Sequence, residues 1–358
     1  MSVARRRGDS GVRTNMDPAS AARAHSQMRR VHGVAEILPP MGAFCDGPFG
    51  LSFGTKMQSH EIDSRQLSLF PALDCAQQSL FCPLPIVTAV RCVHLTGGGS
   101  EPRLIECDDR HRYVVKTLHN AQTPRVLTNE VVATRLAARI GLPVAPMALV
   151  RVTPRFADAA GMAPEQVGLA FGSRTPVRCR SISDLHPEEW AQVRNLQAFW
   201  GFLLFDLWTA NHDRRQVVFE RRGRGFRVFM IDQGYCFNAG RWTDMPASFF
   251  PAFYSRVEVY KHILGWHSFE PYLGKLERLR ADLIAGAAEG LPAEWVDDTV
   301  ALKVLLRRLR SRVHHLREWI TVILLEHPDV FPGWVAELQR KSPWSLLRLS
   351  LARDSVVA

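Results

Sequence analysis

The chain has 358 residues, of which 46% are hydrophobic, so it is long and apolar enough for two packed units and is not a disordered protein as a whole. Its formal net charge is +10 and its isoelectric point is near 9.6. This excess of positive charge suits phosphate ligands, acidic proteins or nucleic acid, and as a bulk property it selects none of them.

The sequence predicts neither a secretory signal nor a membrane span. The basic N-terminal stretch has no apolar run behind it. The longest apolar window, residues 196–208, is interrupted by Asp206 and is shorter than the about 20 residues that span a bilayer. Seven cysteines, at positions 45, 75, 82, 92, 107, 179 and 236, contain no C-x-x-C pair. We therefore expect a soluble, cytoplasmic protein with free thiols, and neither a zinc site nor a disulfide framework.

Residues 1–85 mix Arg, Ser, Gly and Pro with isolated aromatic residues and show no sustained hydrophobic period. This composition is typical of a basic, largely unstructured leader, and we expect at most a short helix near residues 19–30. No residue of this segment suggests a chemical role.

From residue 86 the pattern changes to short strands. Ile86–Leu95 is rich in β-branched residues, Arg103–Cys107 is a second strand, and residues 113–118 form a third. The bend between the first two strands contains Gly97, Gly98, Gly99 and Ser100. Such a bend lets backbone N–H groups approach a phosphate chain without Cβ atoms in the way, although glycines in a hairpin are more often only a turn.

Lys116 lies in the apolar third strand, where a lysine must reach water at an edge or find an anion. The next segment carries clear signals of a helix, with Thr123 as N-cap, Pro124 at the first position and Gly141 after the last turn. Glu130 lies in the middle of this helix. Kinases hold the phosphates of ATP with a strand lysine that is paired to a glutamate of the next helix, so the sequence predicts a Lys116–Glu130 ion pair.

Beyond residue 141 the sequence predicts one more strand, ending near residue 152, and then a loose stretch over residues 154–178. Phe171, Gly172, Ser173 and Arg174 are expected in a surface loop or at the mouth of a cleft. Helices are predicted at residues 187–208, 257–264, 270–288, 293–318 and 334–341. Residues 241–254 are expected to be irregular.

Residues 205–237 bring two acidic side chains together. Residues 217–220 and 226–231 are β-branched and aromatic runs, and the RRGRG between them offers glycines for a turn. Because the residues just outside an antiparallel hairpin lie side by side, Asp213 and Asp232 should flank its open end. Paired carboxylates can divide phosphoryl transfer, one orienting the attacking hydroxyl group and the other holding a divalent cation. Taken alone, each aspartate is better explained as a turn residue.

With these residues in this order, the sequence resembles the HipA-like kinases, relatives of protein kinases and phosphatidylinositol kinases, over residues 86–275. The segments that carry the resemblance are TNEVVATRLAARIGLPV, WTANHDRRQVVF and IDQGYCFN. The resemblance implies ATP and Mg²⁺ as cofactors and a bilobal α+β fold of the protein-kinase type. Its small β-rich lobe with one main helix would be residues 86–180, and its larger helical lobe residues 181–358.

The resemblance also implies roles for single residues. Asp213 would be the catalytic base, in a loop with Asn211 and Arg214, and Asp232 would bind the magnesium ion. Lys116 would bind the ATP phosphates and Glu130 would orient it, with the glycine-rich bend of residues 97–100 also at the nucleotide.

One position departs from the family pattern. These kinases usually have an asparagine five residues after the catalytic aspartate as second metal ligand, and this chain has Val218 there. Gln216 offers an amide oxygen as a substitute. Asp206 and Asn211 show the five-residue spacing, but rank second because Asp206 is expected on the preceding helix. The departure leaves a nucleotide-binding pseudokinase as the alternative to an active enzyme.

The sequence gives weaker support to two other classes of function. His212 and Asp213 form the HD dipeptide of metal phosphohydrolases, without an upstream helical histidine partner. Residues 303–312 interleave Leu with Arg, as in some nucleic-acid-binding helices, although an amphipathic helix explains them more simply. The resemblance implies a protein serine or threonine as the phosphate acceptor, with a lipid or small-molecule hydroxyl group as the alternative, and no membrane partner is expected.

Overall fold

The structure is a computed structural model that describes residues 81–95, 100–120, 122–176, 178–254, 257–342 and 344. Within these residues the fold is a mixture of α and β structure. The predicted leader up to residue 80, including its short helix, lies outside the described residues, as do Gly97, Gly98 and Gly99.

Five strands close into a barrel. In order around the barrel they are β1 (Ile86–Leu95), β2 (Arg103–Cys107), β3 (Arg112–Lys116), β5 (Gly168–Arg174) and β4 (Met147–Val152). Neighbouring strands are antiparallel, except that β1 and β4 are parallel. Alternating apolar side chains fill the interior, among them Val87, Ile105, Val115, Val150 and Ala170. The strands predicted from β-branched runs are therefore confirmed, although the third ends at Lys116 rather than at residue 118.

Strand β5 corrects the prediction of a loop at Phe171, Gly172, Ser173 and Arg174. The wall of the barrel needs a residue without a side chain there, because a Cβ atom on Gly172 would lie 2.6 Å from Val150 Cγ2. The glycine at position 172 therefore marks close packing, and not a turn.

Helix α1 (Arg125–Arg139) confirms the predicted helix that carries Glu130. Thr123 Oγ1 accepts a hydrogen bond from the backbone of Arg125 at 3.2 Å, and Gly141 follows the helix with a φ of +84°. The apolar face of α1 packs on the barrel and on Trp295 through Leu127 and Val131. A short helix, α2 (Pro154–Ala159), precedes β5.

The predicted hairpin is confirmed as part of an antiparallel sheet of β6 (Cys179–Ser181), β7 (Gln216–Arg222) and β8 (Gly225–Ile231). It is preceded by helix α3 (Ala198–Thr209), which is apolar and almost wholly buried. Because Gln216 pairs with Ile231, Asp232 follows directly at the open end of the hairpin.

The helix predicted at residues 187–208 is interrupted. Residues 187–192 form a 3₁₀ turn, and the next residues run beside β8, where the backbone of Arg194 donates to Phe226 at 2.9 Å. Asn195 completes this contact with hydrogen bonds to both the N–H and the carbonyl of Val228. Bonds to the edge of a sheet thus replace a turn of helix.

The C-terminal part is helical, as α4 (Val257–Tyr260), α5 (Trp266–Glu277), α6 (Ala281–Gly286), α7 (Thr299–Arg312), α8 (Leu316–Glu326) and α9 (Pro332–Lys341). The predicted helix 270–288 breaks where Leu279 turns into the core. The predicted helix 293–318 starts later, because Asp298 caps α7 by accepting from Ala301 at 2.8 Å. Helix α7 buries its leucines and exposes Arg307, as an amphipathic helix does.

Among the described residues, no helix is long and apolar enough to cross a membrane. Cys92, Cys107, Cys179 and Cys236 are free thiols, as expected. Cys82 is disulfide-bonded, so the expectation of free thiols was wrong at that residue. It rested on the lack of a C-x-x-C pair, whereas a disulfide requires only proximity in space.

Candidate active site

Lys116, at the end of β3, contacts two carboxylates. Its Nζ lies 2.6 Å from Glu130 Oε1 and 2.7 Å from Asp232 Oδ1. The predicted ion pair with Glu130 is therefore present. Lys116 also contacts Asp232, which follows β8 at the open end of the hairpin. The Glu130 side chain is 2% exposed and that of Asp232 is 27% exposed. Of the two acids, Asp232 is the one that is open to a ligand.

The three charges perturb one another. Burial lowers the pKa of Lys116, but the two carboxylates outweigh it and the net pKa is raised. Burial raises the pKa of Glu130 more strongly than Lys116 lowers it. For Asp232 burial also opposes ionisation, yet Lys116 prevails and the pKa is lowered. The lysine is thus held as a cation and Asp232 as an anion, which are the forms needed to bind phosphate and metal.

Two adjacent residues of α1 hold the segment that contains Asp232. Glu130 Oε2 accepts a hydrogen bond from the backbone N–H of Gln233 at 2.9 Å, and Asn129 Nδ2 donates to the carbonyl of Gly234 at 2.8 Å. A Cβ atom on Gly234 would lie 2.7 Å from Val126 Cγ1, so only glycine allows this close approach. Asp232 itself has a φ of +56°, which points to a backbone that its surroundings constrain.

A second group of polar residues lies in the loop between α3 and β7. Asp213 accepts hydrogen bonds from Gln216 Nε2 at 3.0 Å and from the backbone of Arg214 at 2.8 Å. Asn211 Oδ1 accepts from the backbone of Asp213 at 3.4 Å. Because Gln216 is opposite Ile231, this group stands at the same end of the hairpin as Asp232.

Val218 lies too far along β7 to stand beside Asp232. It pairs with Phe229, two residues beyond the pair of Gln216 and Ile231, or about 7 Å along the strand. Gln216 is therefore the polar residue of β7 nearest to Asp232, and the position five residues after Asp213 is already inside the sheet.

Asp206 and Asn211, the pair with five-residue spacing, bind each other through their side chains. Asp206 lies on α3, as expected, and its Oδ1 accepts from Asn211 Nδ2 at 3.1 Å. It also forms a buried ion pair with Arg215, whose Nε lies 3.1 Å from Oδ1. Sequence reasoning missed Arg215. Strand alternation was the available signal, because Arg215 falls in phase with the buried Val217 and Phe219.

Of the remaining predicted site residues, Ser100 is buried, and Gly97, Gly98 and Gly99 lie outside the described residues. The ring of His212 stacks on Phe249 at a centroid distance of 4.5 Å, and burial lowers the pKa of His212. In the described part of the chain, no three His, Cys, Asp or Glu side chains are grouped to hold a metal ion. The phosphohydrolase interpretation of His212 and Asp213 therefore gains no support.

A strand lysine paired with a helix glutamate is the arrangement with which kinases hold the phosphates of ATP. The family model described as HipA-like kinase matches residues 90–314. The chain therefore belongs to the HipA-like kinase family. No curated protein sequence matches it significantly.

Several solved structures are weakly similar. The proinflammatory kinase CtkA of Helicobacter pylori is 12% identical, with 63% of this chain and 90% of that chain covered and a TM-score of 0.35. The Golgi casein kinase with Mn and ADP bound is 11% identical, with 66% and 73% covered and a TM-score of 0.37. Hydra Fam20 with sugar is 11% identical, with 68% and 86% covered and a TM-score of 0.34. The family assignment does not depend on these likenesses.

Proposed function

We propose that this protein is a kinase that transfers the γ-phosphoryl group of ATP to a hydroxyl group, with Mg²⁺ as the metal ion. The contact of Lys116 with both Glu130 and Asp232 carries the proposal. A buried lysine held as a cation between an orienting acid and a more exposed acid is suited to bind a phosphate next to a metal ion.

The arrangement we propose is bilobal, with residues 86–180 as the nucleotide-binding lobe and residues 181–358 as the helical lobe. Its support is that the barrel and α1 come first in the chain, that most helices follow, and that Lys116 and Asp232 meet from the two parts. ATP would bind between the lobes, with Ser100 and the neighbouring Gly97, Gly98 and Gly99 at its phosphates.

The donor set fits magnesium. In proteins this ion is usually held by one or two carboxylates together with the phosphates of the substrate, and no dedicated cage of acids is found in the described residues. Asp232 would hold the ion. Gln216 would add its amide oxygen, since its amide nitrogen is already bonded to Asp213. The bound ion would neutralise charge on the phosphates.

Asp213 would orient the acceptor hydroxyl group and take its proton. The acceptor oxygen forms a bond to the γ-phosphorus, the bond from that phosphorus to the bridging oxygen breaks, and ADP leaves. Asn211 and Arg214 would shape this loop, because the Asn211 side chain and the Arg214 backbone both bond to Asp213. Lys116, oriented by Glu130, would hold the phosphates of ATP.

The acceptor we propose is a serine or threonine of a protein, on the basis of family membership alone, and a lipid or small-molecule hydroxyl group would be the alternative. We also propose a cytoplasmic location, since four described cysteines are free thiols, although the disulfide at Cys82 points the other way. Nucleic acid is a weaker candidate partner, suggested only by the net charge of +10.

A nucleotide-binding pseudokinase is the second candidate, favoured by one observation, the valine at position 218. The register of β7 weakens this candidate, because Gln216 and not Val218 is the residue beside Asp232. Binding of ATP without transfer would support the pseudokinase.

The test is calorimetric titration with ATP, with and without Mg²⁺, followed by mass spectrometry for phosphorylated protein. Asp232→Ala should abolish the Mg²⁺-dependent part of ATP binding. Asp213→Ala should keep binding and lose transfer, because orienting a nucleophile acts mainly on the chemical step. Asp282→Ala, at an exposed ion pair, is the matched control and should do neither. If the first two variants bind and transfer like the parent protein, the proposed function is wrong.

A further inference from the structure

We propose that Arg215 is a positioning residue that holds two loops of the site at a set distance. The first is the catalytic loop, residues 210–215, and the second is the metal loop, residues 231–235. The names of the two loops rest on the proposed function. The contacts that support the inference involve neither ATP nor an acceptor.

On one side Arg215 is anchored to helix α3. Its Nε lies 3.1 Å from Asp206 Oδ1 and 3.2 Å from Asp206 Oδ2. Asn211 Nδ2 bonds to the same carboxylate at 3.1 Å, so both ends of the catalytic loop are attached to Asp206. The side chains of Arg215 and Asp206 are only 2% and 4% exposed. A guanidinium group so buried and so fully bonded has a fixed orientation.

On the other side Arg215 holds the metal loop. Its Nη1 donates to the carbonyls of Ile231 at 3.1 Å and Asp232 at 3.3 Å, and to Gln233 Oε1 at 3.2 Å. One nitrogen atom thus contacts three successive residues around the proposed metal ligand. The left-handed backbone of Asp232, with its φ of +56°, is fixed at its carbonyl from this side and at the next N–H by Glu130.

These contacts do more than stabilise the fold. A buried ion pair is a weak source of stability, and apolar residues of similar volume commonly replace one at little cost. They would not reproduce the directed bonds to the metal loop. Asp213 is two residues before Arg215 in the chain, and the carbonyl of Asp232 accepts a hydrogen bond from Arg215. Arg215 therefore sets the relative position of the two acids, Asp213 and Asp232.

The experiment uses the full chain and two variants, Arg215→Lys and the double variant Asp206→Leu with Arg215→Met. A lysine keeps the charge but lacks the planar fork that reaches both loops. For both variants we expect the Mg²⁺ concentration at half-maximal ATP binding to rise, and kcat to fall, each by about 10- to 100-fold, while thermal unfolding stays cooperative. Hydrogen exchange in the metal loop should speed up in both.

Arg312→Lys is the matched control, because Arg312 is also buried and donates to the carbonyls of Trp208 and Leu207, each at 2.8 Å. It should lower the melting temperature without changing the Mg²⁺ midpoint. A folded Arg215 variant with the parent Mg²⁺ midpoint and parent exchange in the metal loop would overturn the inference. If the double variant does not fold, Arg215→Lys decides. If the parent protein shows no Mg²⁺-dependent ATP binding, the proposed function is wrong. Hydrogen exchange in the metal loop would then be the measurement that decides the role of Arg215.

Discussion

Lys116 is central to the electrostatics of the site, because its one buried ammonium group contacts two acids. Its partner Glu130 is the less accessible acid and has a raised pKa, with burial as the main cause. The structure therefore changes what is expected of Lys116→Met. From the sequence, this variant should weaken ATP use without unfolding the protein; from the structure, it also leaves a buried carboxylate without its cation.

We predict that Lys116→Met is destabilised in a pH-dependent way. A carboxyl group whose folded pKa is raised supports folding when it is protonated, and this support is lost as the pH rises through the folded pKa. Without Lys116 the pKa of Glu130 should rise further. The free energy of unfolding of the variant should therefore be closest to that of the parent protein at about pH 5, and about 3–5 kcal/mol lower at about pH 8. Urea denaturation across this range measures the difference.

The control for this prediction is the double variant Lys116→Met with Glu130→Gln, which has no buried carboxylate at position 130 and should show a much smaller pH dependence. A stability loss in Lys116→Met that is the same at every pH would contradict the explanation. Loss of ATP binding in the stable double variant would still place the Lys116–Glu130 pair at the nucleotide.

Backbone strain follows the metal loop. Phe237, Asn238 and Ala239 have φ values of 60°, 58° and 53°, a run of left-handed residues that only glycine adopts without cost. The run is tied to the catalytic loop, since the backbone N–H of Asn238 donates to the carbonyl of Ala210 at 3.2 Å. The turn that follows the metal loop is thus also bonded to the catalytic loop.

We predict that Ala239→Gly stabilises the protein by about 0.5–1 kcal/mol, because relief of left-handed strain exceeds the added freedom of the unfolded chain. Ala138→Gly, on the exposed surface of α1, is the matched control and should destabilise by a similar amount. Thermal denaturation of the two variants gives opposite shifts. A lower melting temperature for Ala239→Gly would mean that residue 239 is not left-handed in solution.

At the scale of elements, the register of β7 decides which residue stands next to the metal loop. Gln216 is opposite Ile231, and Val218 is two residues farther along. Counting five residues from Asp213 therefore reaches the interior of the sheet. We infer that the departure from the family pattern is a displaced ligand and not a lost one.

From this register we predict that Gln216→Ala raises the Mg²⁺ concentration at half-maximal ATP turnover by about tenfold, whereas Val218→Asn gives no gain. Gln192→Ala, at an exposed position in the 3₁₀ turn, should leave this concentration unchanged. Titration of Mg²⁺ at saturating ATP makes the comparison. A rate increase in Val218→Asn would show instead that the native site lacks its second ligand.

Helix α1 contacts the barrel, the metal loop and the C-terminal part of the chain. Beyond its contacts with the barrel and the metal loop, Thr128 donates to the carbonyl of Trp295 at 3.0 Å, and Arg135 donates to the carbonyl of Ala287 at 3.1 Å. The chain from residue 287 to residue 295 therefore lies across the helix and helps to bury it. This explains why a helix with only moderate apolar content is buried along most of its length.

At the scale of the whole molecule, the contacts described for Lys116, Asp213 and Asp232 are made by residues within 116–254, and the family match begins at residue 90. We therefore predict that a chain starting at residue 79 binds ATP with unchanged affinity and, when both chains are kept reduced, unfolds within a few degrees of the full chain. It retains Phe81 and Cys82, which both contact Arg135. Calorimetry and thermal denaturation test this. A large drop in melting temperature would show that residues 1–78 contribute to the stability of the fold.

The sequence by itself determined the local elements and the nearest part of the site. Strands β1 to β3, helix α1 and the hairpin follow from side-chain periodicity and turn residues, which act within a few positions. The Lys116–Glu130 pair spans only 14 residues. Tertiary structure alone decided the contact of Lys116 with Asp232, 116 residues away, the strand at Phe171 and the break after residue 192. These depend on which surfaces meet, and no local pattern encodes that, because burial and sheet pairing are set by partners distant in the chain.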